Sequence, residues 1–510
     1  MALFQSILTL LALAVLLLQA SRHLKIPYPA MLAMAGLAVA ALPWAPDISI
    51  DPHLMLALFI APAILDAAFD FPLSAIRRYW PPLLALAIVA VLLTTAAVAW
   101  AGVLVGGLPI SAAIVLGAIV SPPDAAAATA MLNHSDLPRS TATVLKGESL
   151  LNDAVALFIF GVALRVGASG AEVHQVLPQL ALAIPGGLVL GILAGRLAAY
   201  VLPFLSGTLG GILFQFIVTF STWMLAERLG MSAILALVAA AMTVAQRSGG
   251  QSAADRVHSN AVWGVVVFVL NVLAFLFVGL EARAIVRDLA AQELVHAIRF
   301  SLLILAIVIV VRVAWVMLYN RIIQRIYHHF GLGPAPSIKQ GIVTSWCGMR
   351  GMVTLAAALA LPASFPHRGL VVLSAFTVVL GTLVLQGLTL APLVRLLGFS
   401  RDLRWEEDML QVRRSLASAG LLAIADRYDG MAQALRLELE RELQGEPIAA
   451  HPREDMDSLR IDIIRTQRET LNRLRRETQL DEAIYRALEQ ELDLREVAAE
   501  RQSSFELADS

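Results

Sequence analysis

Long apolar runs, separated by short polar stretches, fill the chain up to about residue 399. Each run has about 17 to 25 residues, the length that an α-helix needs to cross a bilayer core about 30 Å thick. We therefore predict an all-α polytopic membrane protein with about thirteen transmembrane helices. The predicted spans are residues 2–20, 28–45, 52–69, 81–105, 108–132, 142–166, 176–202, 209–226, 231–245, 260–280, 296–320, 338–361 and 368–397.

The pattern changes at Ser400, where charged residues begin to alternate with apolar ones at helical spacing. The apolar positions include Leu459, Ile463, Leu471, Leu474 and Leu488. Gly445, Pro447 and Pro452 predict a loop between two helical stretches. We divide the chain into a membrane domain, residues 1–399, and a helical tail, residues 400–510, that serves packing or dimer contact or else binds a regulatory ligand.

Composition narrows the classes of function. Hydrophobic residues make up 58% of the 510 residues and charged residues 15%, which excludes a single soluble globule. The tail holds 25 acidic and 17 basic residues, and no basic block indicates a nucleic-acid partner. The single cysteine, Cys347, excludes an internal disulfide, and no Cys/His spacing indicates a zinc site. We expect the lipid bilayer as a partner and no cofactor.

Basic residues fix the expected orientation. One alternating set of connections carries Arg22, Lys25, Arg77, Arg78, Arg139, Lys146, Arg247, Arg256, Arg321 and Arg325. The other set carries mainly Arg228, Arg283, Arg287 and Arg368. Because cytoplasmic loops are rich in Lys and Arg, we expect the N-terminus outside and the acidic tail in the cytoplasm of a cell (inner) membrane.

Two spans contain residues that interrupt a helix. The fifth contains Ser121-Pro122-Pro123-Asp124 and the twelfth contains Gly348-Met349-Arg350-Gly351. An interrupted helix is tolerated at membrane depth only where it is buried in protein or lines a cavity. Paired interruptions of this kind in two halves of a chain indicate the binding site of a secondary transporter with inverted repeats. A kink that serves only packing is the alternative.

The sixth span begins with polar residues on one helix face. At about 100° per residue, Glu148, Ser149, Asn152 and Asp153 lie on the same side. Two buried carboxylates need a partner charge, a bound cation or a proton. We assign Glu148 to Arg350 as a structural ion pair and leave Asp153 to titrate, because a carboxylate held by Arg exchanges protons poorly. The opposite assignment stays open.

Further charges interrupt other spans. Asp66 lies well inside the third span and is a candidate site residue, whereas Asp70 lies at its end. Arg312, in the eleventh span, lies near the expected cytoplasmic end, where snorkelling or pairing explains it as well as a site role. Glu281 and Arg283 are expected at an exposed helix end.

The string Gly147-Glu148-Ser149-Leu150-Leu151-Asn152-Asp153, the proline-broken fifth span and Gly348-Met349-Arg350-Gly351 together resemble bacterial sodium/proton antiporters of the cation/proton antiporter-1 family. The resemblance covers roughly residues 1–398. It implies a 13-helix fold with a dimerisation domain, a mobile core domain and two broken helices that cross beside the ion site. It also implies homodimers.

The resemblance assigns roles at the site. Asp153 would bind the cation or a proton, and Asn152 would shape the site. Ser149 and the unwound backbone near Ser121 would supply oxygen ligands, and Asp66 matches an acid that many members carry in the third span.

One departure from the family pattern concerns Asp124. Many members carry Ser-Pro-Thr-Asp-Pro where this chain has Ser121-Pro122-Pro123-Asp124-Ala125, which keeps the acid and loses the Thr hydroxyl. The selectivity among Na⁺, Li⁺ and K⁺ depends on such ligands. By analogy with the family, the Asn152-Asp153 pair, in place of two adjacent acids, implies electroneutral one-for-one exchange.

These observations predict secondary active antiport of a monovalent cation, Na⁺ first with Li⁺ or K⁺ as alternatives, for H⁺, and no enzymatic activity. The transported cation would be the only metal ion, held by Asp153. A monovalent cation channel or uncoupled conductance is the main alternative. A sensor or scaffold that works through its tail is a further one.

Overall fold

A computed structural model of the chain describes residues 52–69, 71–124, 138–169, 173–206, 208–247, 253–288, 291–330, 336–399, 403–444, 454–477 and 480–506, together with a few isolated positions between 12 and 31. The predicted spans 2–20 and 28–45 lie outside the described residues apart from those positions. Asp70 and the tail loop at residues 445–452 lie outside them too.

All regular structure in the described residues is helical. Up to residue 397 the helices are α1 (Pro52–Phe69), α2 (Leu73–Leu84), α3 (Ala90–Leu104), α4 (Ile110–Val120), α5 (Arg139–Ser169), α6 (Val173–Val201), α7 (Leu209–Arg228), α8 (Ala233–Arg247), α9 (Ala253–Asp288), α10 (Ala291–Phe330), α11 (Ile338–Trp346), α12 (Met352–Leu359) and α13 (Arg368–Leu397). The tail contains α14 (Leu403–Ala423), α15 (Gly430–Gln444), α16 (Glu454–Glu477) and α17 (Glu482–Glu506).

Each of the predicted spans three to thirteen overlaps at least one of these helices. Seven segments of the described chain are long and apolar enough to cross a membrane, and three shorter apolar helices accompany them. The seven are Leu73–Leu104, Arg139–Gly167, Leu182–Leu205, Gly210–Arg228, Asp255–Phe275, Gln292–His329 and Arg368–Leu397. The all-α membrane architecture is therefore confirmed, while the total of thirteen spans stays a prediction.

The fourth span begins earlier than the predicted residue 81. Helical structure already starts at Leu73 and continues through a π-helical turn, Ala85–Val89, into α3. Tyr79 departs from helical geometry, with φ −112° and ψ 22°, just before Pro81 and Pro82. The two prolines thus occupy the first turn after a kink, where their missing amide donors leave no intrahelical bond unmade.

Both predicted helix interruptions are present. In the fifth span α4 ends at Val120, and residues 121–124 are not helical. In the twelfth span α11 ends at Trp346 and α12 begins only at Met352. The second half of the predicted fifth span, residues 125–132, lies outside the described residues.

The chain divides into two compact units. The first comprises Met1–Ala199, Gln215–Gln246 and Trp263–Arg401, and the second comprises Tyr200–Phe214, Arg247–Val262 and Asp402–Ser510.

Within the first unit, α6 and α8 approach closely along glycines four residues apart. A Cβ at Gly187 or Gly191 would overlap the carbonyl oxygens of Ser232 and Ala236. Small residues at this spacing let membrane helices pack backbone against backbone.

The tail helices enclose apolar cores of their own. Leu459 and Ile463 are buried in one core with α14 and α15, and Leu471 and Leu488 are buried in another. Leu474 packs partly buried against the second. The predicted amphipathic helices are therefore present.

Buried ion pairs connect α9, α16 and α17 within the second unit. Asp493 of α17 accepts a hydrogen bond from Nε of Arg256, at the start of α9, over 2.8 Å. Nη2 of Arg468, on α16, donates to the same carboxylate over 2.9 Å and lies 2.6 Å from Glu496. All four side chains are at most 13% exposed. Two Arg and two acids thus balance in a largely dry environment, where removal of one partner leaves an uncompensated charge.

We expect Asp493→Asn to destabilise this network by about 3 to 5 kcal/mol. Amide hydrogen exchange of α17 in the full chain should then accelerate by about 100-fold or more. The matched control is Asp462→Asn, because Asp462 is 65% exposed and lies 3.9 Å from Arg465. The control should shift exchange by less than about fivefold. Equal exchange rates in the two variants would contradict this account of the tail.

Candidate functional site

The two interrupted spans meet at their unwound segments. The backbone N–H of Asp124 donates to the carbonyl oxygen of Met349 over 2.7 Å. The side chain of Asp124 lies against Gly351, where a Cβ would overlap the carboxylate. Gly351 is also the residue that precedes the first turn of α12. The Asp124 carboxylate therefore lies at a helix N-terminus, whose dipole favours negative charge.

We call the place where the unwound residues 121–124 and 347–351 meet the crossing. Arg350 contacts the fifth span at this crossing. Its side chain is only 1% exposed, and its guanidinium donates to the carbonyl oxygens of Val120 over 3.0 Å and Ser121 over 3.4 Å. It also donates to the carbonyl oxygen of Gly348. These carbonyls include the C-terminal end of α4, where the helix dipole favours a cation. The charge of Arg350 is thus stabilised by peptide oxygens that the interrupted helices leave without intrahelical partners.

The predicted ion pair between Glu148 and Arg350 is wrong, because Glu148 pairs with Arg312. Nη1 of Arg312 lies 2.5 Å from one carboxylate oxygen of Glu148, and Nη2 lies 3.2 Å from the other. Nη2 donates to the carbonyl oxygen of Thr344 as well. The two side chains are 3% and 1% exposed. This bidentate arrangement is the strong form of an Arg–carboxylate contact.

The length of α10 explains the correction. The sequence predicts a span at residues 296–320, which puts Arg312 near an end, whereas the helix has 40 residues and holds Arg312 close to its middle. Gly348 makes room for this contact, because a Cβ there would overlap the side chain of Arg312. Arg312 is therefore a buried partner of the polar face of α5 and does not snorkel.

The polar face of α5 points at the unwound part of the fifth span. Nδ2 of Asn152 donates to the carbonyl oxygen of Pro123 over 3.1 Å, and the residue is fully buried. Its Oδ1 atom has no hydrogen-bond partner among the described residues. Ser149 and Asp153 are half-buried. Asn152 precedes Asp153 and Pro123 precedes Asp124, so the hydrogen bond between Asn152 and Pro123 brings together the two segments that carry these carboxylates.

Ser121 and Asp66 are two further candidate site residues, and their side chains are placed differently. Ser121 is buried, and its hydroxyl donates to the carbonyl oxygen of Ala118 over 3.1 Å, so that hydroxyl is occupied within α4. Asp66 lies on α1 with an exposed side chain. Its role at the site stays a prediction, as do the ligand roles of Ser149, Asp124 and Ser121.

The sequence leaves the role of one contributor to the crossing, Arg312, open and gives no sign of another, Thr382. Arg312 carried a signal, a charge inside an apolar run, but its partner could not be chosen from the pattern alone. Thr382 of α13 gave no signal, since Thr is ordinary in a membrane helix, yet its Oγ1 accepts a hydrogen bond from the backbone N–H of Arg350 over 3.1 Å.

The groups at the crossing that could coordinate a ligand are mainly oxygen atoms. The carboxylates of Asp153 and Asp124 and the amide oxygen of Asn152 are hard donors suited to an alkali-metal cation. Across the described ranges, no group of three or more His, Cys, Asp or Glu side chains could hold a resident metal ion.

We expect Glu148→Gln to lower the free energy of unfolding by about 3 to 5 kcal/mol, because Arg312 then keeps a buried charge without a carboxylate. The double variant Glu148→Gln/Arg312→Gln should recover part of this loss. Glu491→Gln is the control, since its pair with Arg413 is 31% to 42% exposed and should contribute at most about 1 kcal/mol. Equilibrium unfolding in mixed micelles measures all four proteins. A Glu148→Gln variant as stable as Glu491→Gln would refute the buried pair.

Comparisons with known proteins agree with this geometry. The profile of the family described as "Sodium/hydrogen exchanger, transmembrane" matches residues 8–396. An uncharacterized Na⁺/H⁺ exchanger of Mycobacterium tuberculosis is 28% identical over 92% of this chain and 91% of its own. A sodium, potassium, lithium and rubidium/H⁺ antiporter of Bacillus pumilus is 26% identical over 94% of this chain and 76% of its own.

A solved structure shares the fold. The sodium proton antiporter MjNhaP1 from Methanocaldococcus jannaschii superposes with a TM-score of 0.59 at 20% identity, covering 76% of this chain and all of that one. The residues that the family profile matches include both interrupted helices and the polar face of α5. The chain belongs to the sodium/hydrogen exchanger family of membrane transporters.

Proposed function

We propose that this protein is a secondary active antiporter that exchanges a monovalent cation for H⁺ across the membrane. One observation carries the proposal: Glu148 is neutralised by Arg312, while no Lys or Arg among the described residues forms an ion pair with Asp153. A carboxylate at membrane depth must be neutralised by some partner. For Asp153 the available partners are a proton and a cation.

The exchange cycle follows from competition for that carboxylate. At one face of the membrane Asp153 loses its proton and takes a cation through oxygen ligands. The core then rearranges, and at the other face a proton displaces the cation. Movement of the empty, charged carboxylate through the apolar barrier is costly, which suppresses transport without exchange. Low pH keeps Asp153 protonated and slows cation binding, and high pH slows the proton half-cycle.

We propose Na⁺ as the main substrate, with Li⁺ and K⁺ as alternatives. Asp153, Asn152, Ser149 and Asp124 would supply the oxygen ligands, assisted by the backbone near Ser121 and by Asp66. The Bacillus pumilus relative is named for four alkali-metal cations, which supports a site that accepts several. One titrating carboxylate beside Asn152 supports electroneutral exchange of one cation for one proton. This activity would serve pH and cation homeostasis.

The distribution of Lys and Arg supports a proposal for the orientation of the chain in the membrane. We propose a multi-pass protein of the cell membrane, with residues 1–399 as the exchanger domain and residues 400–510 as a cytoplasmic tail. The excess of Lys and Arg in one set of connections supports an N-terminus outside and a tail inside. We also propose a homodimer, which the family resemblance implies.

The proposed exchange is tested in proteoliposomes that contain a pH dye, under an imposed Na⁺, Li⁺ or K⁺ gradient with the membrane potential clamped. The wild-type protein should show a cation-driven pH change that does not depend on voltage. Asp153→Asn should abolish it, because the side chain no longer titrates. The control Asp408→Asn replaces an exposed carboxylate of the tail and should exchange at the wild-type rate.

Three outcomes would overturn parts of this proposal. Exchange by Asp153→Asn at the wild-type rate would remove Asp153 from its role. A pH change that follows the clamped voltage would overturn electroneutrality. A cation flux far above carrier rates without proton movement would indicate a conductance.

The approach of Asp124 to Gly351 gives a second prediction for the same assay. We expect Gly351→Ala to reduce the exchange rate by about 100-fold or more, since a misplaced binding group costs rate steeply. Gly161→Ala is the control on α5, because a Cβ there meets no atom within 4 Å. It should leave exchange unchanged and stabilise α5, as Ala does in place of Gly in helices. Similar exchange rates in both variants would refute a role for the close approach.

A further inference from the structure

Gln386 of α13 is a buried polar side chain that the exchange cycle described above does not use. Its exposed fraction is zero, and neither its amide nitrogen nor its amide oxygen has a hydrogen-bond partner among the described residues. A buried carboxamide without partners carries a desolvation penalty that an apolar side chain of the same size avoids. The carboxamide therefore needs a partner that the described residues do not provide in this arrangement.

The neighbours of Gln386 on its helix face show what it points toward. Thr382, one turn before it, accepts the hydrogen bond from the backbone N–H of Arg350. Thr389, about one turn after it, accepts a hydrogen bond from Nε1 of Trp346 over 2.8 Å. Residues three and four apart share a helix face. Gln386 therefore faces the stretch between Trp346 and Arg350, which is the unwound segment of the twelfth span.

That segment contains backbone groups that match a carboxamide. The hydrogen bonds that its backbone makes use the carbonyl oxygens of Gly348, Met349 and Gly351 and the N–H groups of Cys347 and Arg350. None of them uses the N–H of Gly348 or Met349. A Gln side chain offers an acceptor oxygen and two N–H donors, so it can accept from a backbone N–H and donate to a backbone carbonyl oxygen.

We propose that Gln386 is a positioning residue for transport, whose carboxamide hydrogen-bonds the backbone of the unwound segment, residues 347–351, in a second arrangement of the crossing. The hydrogen bonds that it does not make with the described residues here are made when the crossing rearranges between the two faces of the membrane. Gln386 thereby shifts the population toward that second arrangement, because a group that bonds in only one of two states stabilises that state. It acts through the unwound segment and does not bind the cation.

The chain carries a natural reporter of this change. Cys347 is its only cysteine, lies in the unwound segment and is 1% exposed. The rate at which N-ethylmaleimide alkylates Cys347 in the full-length protein therefore measures how often the segment leaves its buried arrangement. No cysteine needs to be introduced or removed.

The test compares wild type with Gln386→Met, which keeps the side-chain length and removes both hydrogen-bonding atoms. We expect alkylation of Cys347 to slow by about tenfold, because two hydrogen bonds of the second arrangement are lost. The maximal exchange rate should fall by about the same factor, while the half-saturating cation concentration stays within about twofold. Gln411→Met, which replaces an exposed Gln of the tail, should leave all three quantities unchanged.

Two results would overturn this proposal. A variant that only loosens the fold would alkylate faster, so faster or unchanged alkylation in Gln386→Met contradicts a positioning role. A raised half-saturating cation concentration with an unchanged maximal rate would make Gln386 a cation ligand instead. If Gln386→Met does not accumulate in the membrane, Gln386→Asn, which withdraws the amide by one methylene, should also slow alkylation, and its failure to do so would have the same meaning.

The exchange measurement rests on the proposed antiport, but the alkylation measurement does not. If the wild-type protein shows no exchange, the proposed function fails while the Cys347 rates still test Gln386. If wild type exchanges and Gln386→Met matches it in every measurement, only the role of Gln386 fails.

Discussion

The exclusion of water from the membrane interior is the constraint on which the rest of this structure depends. Two helices are broken where no solvent can satisfy their ends, so protein groups must do so. Arg350 satisfies the carbonyls at the end of α4 and of the unwound segment, and Asp124 lies at the start of α12. The two interruptions thus form a crossing, held together by these contacts, that presents backbone and side-chain oxygens at membrane depth.

The charges around the crossing separate into two groups with different tasks. Glu148 and Arg312 neutralise each other through a bidentate contact and hold α5 to α10. Asp153, five residues further along α5, forms no ion pair with a Lys or Arg among the described residues. In the proposed exchange cycle, this pairing leaves Asp153 as the carboxylate on α5 that the transported cation or proton would neutralise.

Much of the fold followed from the sequence because hydrocarbon thickness fixes the length of a spanning helix, and Pro122, Pro123, Gly348 and Gly351 marked the breaks directly. Helical periodicity placed Asn152 and Asp153 on one face. The partner of Glu148 did not follow, because the choice between Arg312 and Arg350 depends on how far α10 extends and where it packs. Thr382 and Gln386 gave no signal, since an uncharged polar residue in an apolar run stands out only once its neighbours are known.

In the proposed exchange cycle, a cation and a proton compete for one carboxylate, and this competition can be measured directly. Calorimetric titration of the purified protein with Na⁺, in buffers of different ionisation enthalpy, counts the protons released for each cation bound. Near the pH at which the site is protonated, the account predicts one proton released per cation. Cation binding that releases no proton at any pH would contradict it.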